Sequence, residues 1–196
     1  GSIILAERCM GNETKVLLRT VMETLFILIA IVKDEAMAEK NYENHLYEKQ
    51  QTLCSIKRHG QASLYQGLDL DERIAELDEI IKKKGLNKLK VIEWAEEAGL
   101  SEFYATAYPV LSWTAHSNVI DIGQYIIGKS DEEIEGVFCQ PQLKGINILL
   151  LTAMECAIIG LRSVNELFSL GVAEEIEKYS KRYHLLAKES VAEERT

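Results

Sequence analysis

The sequence predicts an all-α fold, a single multi-helix bundle with one long N-terminal helix. Apolar residues recur at helical spacing, and no alternating stretch of convincing length suggests a sheet. Only two prolines and 7% aromatics occur in a chain rich in Leu, Ile, Ala, Glu and Lys, a composition that favours helix. The 196 residues suffice for one domain with a real core and do not require two. Residues 1–196 are therefore read as one domain, in which Gly1 and Ser2 look like a cloning scar that leaves the natural N-terminus open.

Asn12 is a fair N-cap for a long segment from Glu13 into the fifties. That segment is apolar nearly all round at first and polar after Lys33, as expected of a helix that starts inside the core and continues along the surface or against a partner. In "DLDERIAELDEIIKKKG" acids crowd the first turn, three lysines crowd the last, and Gly85 stands at the C-cap. Ile74, Leu77 and Ile81 form its apolar stripe, and Asp78–Lys82 and Glu79–Lys83 have ion-pair spacing. "KLKVIEWAEEAGL" reads as a short helix ending at Gly99.

Ser101 can cap the next helix, within which Pro109 predicts a kink or a restart. Ser130 with Glu133 has capping-box spacing over a short acidic element. Pro141 suits the first turn of a long apolar helix reaching about Ser169. Gly171 separates it from an amphipathic terminal helix. The apolar runs 25–32 and 146–161 are shorter than a bilayer span, and the second carries Asn147 and Glu155. Both read as buried core helices, with no membrane association expected.

A net charge of −9 argues against wholesale binding of polyanions or membrane surfaces. The basic run "KKKGLNKLK" (82–90) reads first as a solvated helix end. Four scattered cysteines form no CxxC pair, so neither a zinc finger nor a disulfide framework is indicated, and their scatter fits a reducing cytoplasm. There is no HExxH, no nucleophile elbow and no Walker or Rossmann glycine pattern. No metal site and no cofactor are expected.

Two constellations remain. Counting in fours along "YATAYPVLSWTAHSNV" gives Tyr104, Tyr108, Ser112 and His116 near one face of a helix. Phenols and a hydroxyl there can set an imidazole tautomer or orient a ligand. Arg19 and Glu23 are i,i+4 charges on a segment otherwise too apolar to face water. A charge in that setting needs a partner: either the two fix helix register as an ion pair, or Glu23 orients Arg19 toward an anion. Glu155 repeats the puzzle, with Arg19 or Arg162 as its candidate partner.

"LLRTVMETLFILIAIVKDEAMAEKNY" and "FYATAYPVLSWTAHSNV" together resemble a bacterial all-helical domain family of unknown function. The likeness rests on its Arg-x-x-x-Glu and Tyr-x-x-x-Tyr-x-x-Leu-Ser-x-x-x-His segments and would cover most of residues 13–170. Carried over by position, it marks Arg19, Glu23, Tyr104, Tyr108, Ser112 and His116 as the polar set, and departs at Pro109, where a basic residue is expected. The helical layout is also reminiscent of HEPN bundles, which include dimeric ribonucleases of toxin and antiphage defence systems. The HEPN motif places Arg four to six residues before His on one helix; here Arg19 and His116 would have to meet from different helices.

The expected function is an effector or defence-type domain acting on RNA or another phosphate-bearing ligand. His116, Arg19 and Glu23 are its catalytic set, and Tyr104, Tyr108 and Ser112 its ligand-binding set. The alternative is a non-catalytic dimerising module, a homo-oligomer or a binder of a helical protein, in which the same residues form a buried network.

Overall fold

The computed structural model describes residues 1–8, 10–60, 69–115, 126–130, 133–137 and 145–193. Eight helices lie among them: α1 (Ser2–Glu7), α2 (Gly11–Lys33), α3 (Ala36–Arg58), α4 (Leu70–Lys84), α5 (Val91–Glu97), α6 (Ser101–Ala115), α7 (Ile146–Phe168) and α8 (Ala173–Glu193). The protein is an all-α bundle.

The centre is α2, which packs against α1, α5, α6 and α7. Leu18, Met22, Leu25, Phe26, Ile29 and Ala30 recur at helical spacing on its inner face. They meet Trp94, Ala95 and Ala98 near α5, Tyr108 and Leu111 on α6, and Leu149 and Cys156 on α7. Arg19 and Glu23 each follow an inward residue by one position, which sets them beside this stripe rather than within it.

The single long N-terminal helix is two helices. Asp34 is extended (φ −142, ψ 111), and its Oδ1 accepts a hydrogen bond from the Ala36 N–H at 3.0 Å. A short acidic side chain that bonds the backbone two residues on competes with helical pairing, and the chain breaks there. The start also differs. Met10 occupies the N-cap without a side-chain bond, and Asn12 lies inside the first turn.

The polar α3 packs on α4 within the chain. Leu53, Leu70 and Leu77 form a second, small core between them. In α4 the Asp69 side chain accepts from the N–H groups of Asp71 and Glu72, and Gly85 closes the helix at φ 62. The expected pairs along α4 give way to ties with α3. Asp78 accepts from Gln50 at 2.8 Å, and the basic run supplies Lys84 to Glu39 and Lys88 to Glu48. Asn44 clamps the following loop, donating to the Leu89 carbonyl at 3.2 Å and accepting from the Leu89 N–H at 2.9 Å.

Helix α5 ends before Gly99 (φ 69), and α6 passes through Pro109 without ending. Residues Ile126–Ser130 and Glu133–Val137 form an antiparallel two-stranded ribbon, β1 and β2. Ser130 and Glu133 are partners across this ribbon rather than the capping box of a helix. β-branched isoleucines on both strands suit the pleated conformation. Pro141 lies outside the described residues.

Helix α7 runs to Phe168, in line with the expected end at about Ser169. By length and composition it could cross a membrane, with a window of mean hydropathy 1.5 of which 22% is buried. It is nevertheless tied by polar bonds to α8. Arg162 Nη2 donates to Ser180 Oγ at 2.9 Å and lies 3.6 Å from Glu177. Asn165 Oδ1 accepts from the Val172 N–H at 3.1 Å.

Candidate functional site

Arg19, Glu23 and Tyr108 form a closed hydrogen-bonded triangle at the seam between α2 and α6. Arg19 Nε donates to Glu23 Oε1 at 3.0 Å and to Tyr108 Oη at 3.2 Å. Tyr108 Oη donates in turn to the same Glu23 oxygen at 2.6 Å. Its geometry follows from two helical spacings: Arg19 and Glu23 are one turn apart on α2, and the α6 stripe that buries Leu111 also turns Tyr108 inward.

Tyr108 is 7% exposed, whereas the Arg19 and Glu23 side chains keep 24% and 32% of their surface. The site therefore sits at the rim of the core, with the phenol inside and the charges at its edge. The Arg19 guanidinium carbon lies 5.6 Å from the Tyr108 ring centroid, near enough for cation–π attraction. Tyr104 stacks on Tyr108 with centroids 4.8 Å apart and planes at 20°, and its ring meets Phe26 at 6.3 Å. Tyr104 thus supports the site through its ring, while Tyr108 enters it through its hydroxyl.

Ionisation follows from these contacts. The hydrogen bond with Tyr108 raises the Arg19 pKa above its ordinary value, against the opposing effect of burial. Burial, followed by donation to Glu23, raises that of the Tyr108 phenol. Both shifts keep the pair in the form the triangle needs, a charged guanidinium and a protonated phenol.

Four of the six expected site residues thus come together: Arg19, Glu23, Tyr104 and Tyr108. Ser112 lies one turn further along α6, half-buried and outside the triangle. His116 lies outside the described residues. No group of three or more His, Cys, Asp or Glu side chains able to hold a metal ion occurs among the described residues.

Glu155 pairs with neither Arg19 nor Arg162. Its Oε2 accepts from Tyr183 Oη at 3.1 Å, because α8 rather than α2 faces that side of α7. Arg162 is instead engaged by Ser180 and Glu177. Burial and then Glu155 push the Tyr183 phenol up to about 12, and the same causes push the Cys156 thiol up to about 12. Tyr183 was not among the expected site residues. Its spacing from the inward Ile176 and Ser180 on α8 is the sequence signal that would have found it.

Residues 1–134 match the family model DUF5677, a family of unknown function. The chain belongs to this family. No curated protein and no solved structure matches it. The DUF5677 match takes in α1 to α6 and all six members of the expected polar set, and it stops before α7. It thus ends short of the 13–170 span expected from the resemblance. The Arg19–Glu23–Tyr108 triangle lies wholly within the DUF5677 segment, whereas Glu155 and Tyr183 lie beyond it.

Proposed function

We propose that this chain is an effector-type helical domain that binds a phosphate-bearing ligand at Arg19, with RNA the first candidate. One observation carries the reading: Glu23 and Tyr108 both bond Arg19 Nε, at 3.0 and 3.2 Å. Those bonds orient a guanidinium, the group best matched to a phosphate, at the seam between α2 and α6. Its position at the rim of the core suits contact with a ligand from outside. Tyr104 and Tyr108 stiffen the site, and Ser112 lies one turn along toward His116. His116 takes the general acid/base role, which makes ribonuclease activity of the HEPN kind the reaction to test, by analogy with that superfamily.

The test uses the full chain with a short fluorescein-labelled single-stranded RNA, read for anisotropy and for cleavage. Arg19→Gln is expected to weaken binding about tenfold or more and to lower the salt slope by about one phosphate contact. His116→Ala is expected to stop cleavage while binding persists. Failure of the unaltered protein to bind, or equal binding by Arg19→Gln, rejects the proposal.

A second reading is favoured by a different observation. Ile148, Leu161, Leu167, Phe168 and Leu170 are all about half exposed or more on and after the apolar α7, and exposed apolar surface of this kind marks association sites. In that reading the chain is a dimerising or partner-binding module, and the triangle only registers α2 against α6. Light scattering tests it: a dimer that Leu161→Glu converts to monomer supports it, and a monomer at every concentration rejects self-association.

A further inference from the structure

Glu155 faces a second feature that the Arg19 site does not use. A cleft of about 550 Å3 lies between α6 and α7, lined by Glu102, Phe103, Thr106, Thr152, Glu155 and Ile159 among others. This volume suits a small organic molecule. The hydroxyls in its lining are engaged. Thr106 donates to the Glu102 carbonyl at 2.9 Å and Thr152 to the Ile148 carbonyl at 2.8 Å. Their protons are thus committed, and the charged side chains in the lining are the carboxylates Glu102 and Glu155.

Glu155 is half-buried, and its one hydrogen-bond partner among the described residues is the neutral Tyr183 hydroxyl on Oε2. A charged carboxylate in partly desolvated surroundings favours a cation beside it, and no described Lys or Arg lies within ion-pair distance. At the Gly99 end of the cleft stands Lys33, whose Nζ donates to the Ala98 carbonyl at 2.6 Å. That ammonium is held at the Gly99 edge and directs a second cation away from it, toward Glu155.

We propose that this cleft binds a small organic cation, an alkyl- or arylammonium ion. Its ammonium group pairs with Glu155, and its apolar stem lies along Phe103, Ala107 and Ile159. Tyr183 holds the carboxylate from the α8 side and so positions it for the ligand. The inference is independent of the phosphate reading, since the sites share no residue and take ligands of opposite charge.

The experiment is an NMR titration of the 15N-labelled full chain with 2-phenylethylamine, against 2-phenylethanol and phenylacetate as the neutral and anionic counterparts. The amine is expected to shift amides in 99–107 and 152–159 and to saturate by ~10 mM. The alcohol is expected to bind about tenfold more weakly, and phenylacetate not at all. Glu155→Gln, which keeps the shape and removes the charge, is expected to lose about tenfold in amine affinity. Absence of those shifts, equal binding of amine and alcohol, or undiminished affinity in Glu155→Gln overturns the proposal. Should Glu155→Gln fail to fold, the amine–alcohol comparison on the unaltered protein decides the question by itself.

Discussion

Replacing Tyr108 by Phe removes one oxygen and leaves the ring, so its effect isolates the triangle. The hydroxyl donates to Glu23 at 2.6 Å and accepts from Arg19 at 3.2 Å. Hydrogen bonds to charged groups contribute about 1.5–3 kcal/mol net. Arg19 and Glu23 remain 24% and 32% exposed and keep their direct 3.0 Å bond, so water repairs part of the loss and the lower end applies. The ring stays buried and stacked on Tyr104, and no cavity term is added. The expected loss is therefore about 1.5 kcal/mol, or roughly 3–6 °C in Tm for a domain of this size. Urea unfolding followed by far-ultraviolet circular dichroism measures it, with an unchanged m-value as the sign that only stability moved. In a cycle with Glu23→Gln the coupling should be about 1 kcal/mol. A loss below about 0.5 kcal/mol, or additive single and double variants, would refute the view that the triangle fastens α2 to α6.

Two further outcomes follow from particular contacts. Asn44→Ala strips both partners from the Leu89 peptide at a site 9% exposed, and about 2 kcal/mol of unfolding free energy should be lost; a neutral result would mean that water replaces the clamp. Tyr183 has a folded-state pKa of about 12 against an ordinary 10.0, so between these values the unfolded chain binds fewer protons and stability falls as pH rises. The contribution of Tyr183 should be constant below about pH 10 and disappear toward pH 12, and the urea midpoint of Tyr183→Phe should fall less steeply over that window than the parent's. Parallel curves would mean that neither burial nor Glu155 raises the Tyr183 phenol.

Local chemistry made some elements readable. The α4 helix carries its own punctuation, with Asp69 as N-cap, acids in the first turn, lysines in the last and Gly85 in a left-handed conformation. Nothing in that pattern depends on a neighbour. The break at Asp34 was hidden because apolar periodicity to Lys33 and polar helix formers after Ala36 both read as helix. Only the competing side-chain bond of Asp34 decides between one helix and two. Ser130 and Glu133 misled for the opposite reason, since capping-box spacing is equally compatible with two positions facing each other across a ribbon. At the site, Arg19, Glu23 and Tyr108 were legible as polar groups on apolar helix faces. That Arg19 would meet Tyr108, and that Glu155 would meet Tyr183, depends on which helices lie side by side, which no single helix encodes.

Charges on the two most apolar helices lie at seams rather than in the core, and the two seams are satisfied differently. At α2–α6 a guanidinium and a carboxylate cancel, with a phenol between them. Ligand binding there has to compete with an existing pair, which lowers what an anion gains from Arg19. At α7–α8 a carboxylate has only a neutral hydroxyl, and a cation arriving there displaces no ion. Of the two ligand readings the ammonium cleft thus has the smaller electrostatic barrier to occupancy, although its carboxylate Glu155 lies beyond the family segment. The consequence is an asymmetry in salt response. Arg19 and Glu155 are both partly buried, so the difference comes from the ligands: RNA releases condensed counterions when a phosphate is neutralised, and a small amine does not. Added salt should therefore weaken RNA binding at Arg19 more than amine binding at Glu155. Equal salt slopes for the two ligands would show that the RNA is not held through a phosphate at Arg19.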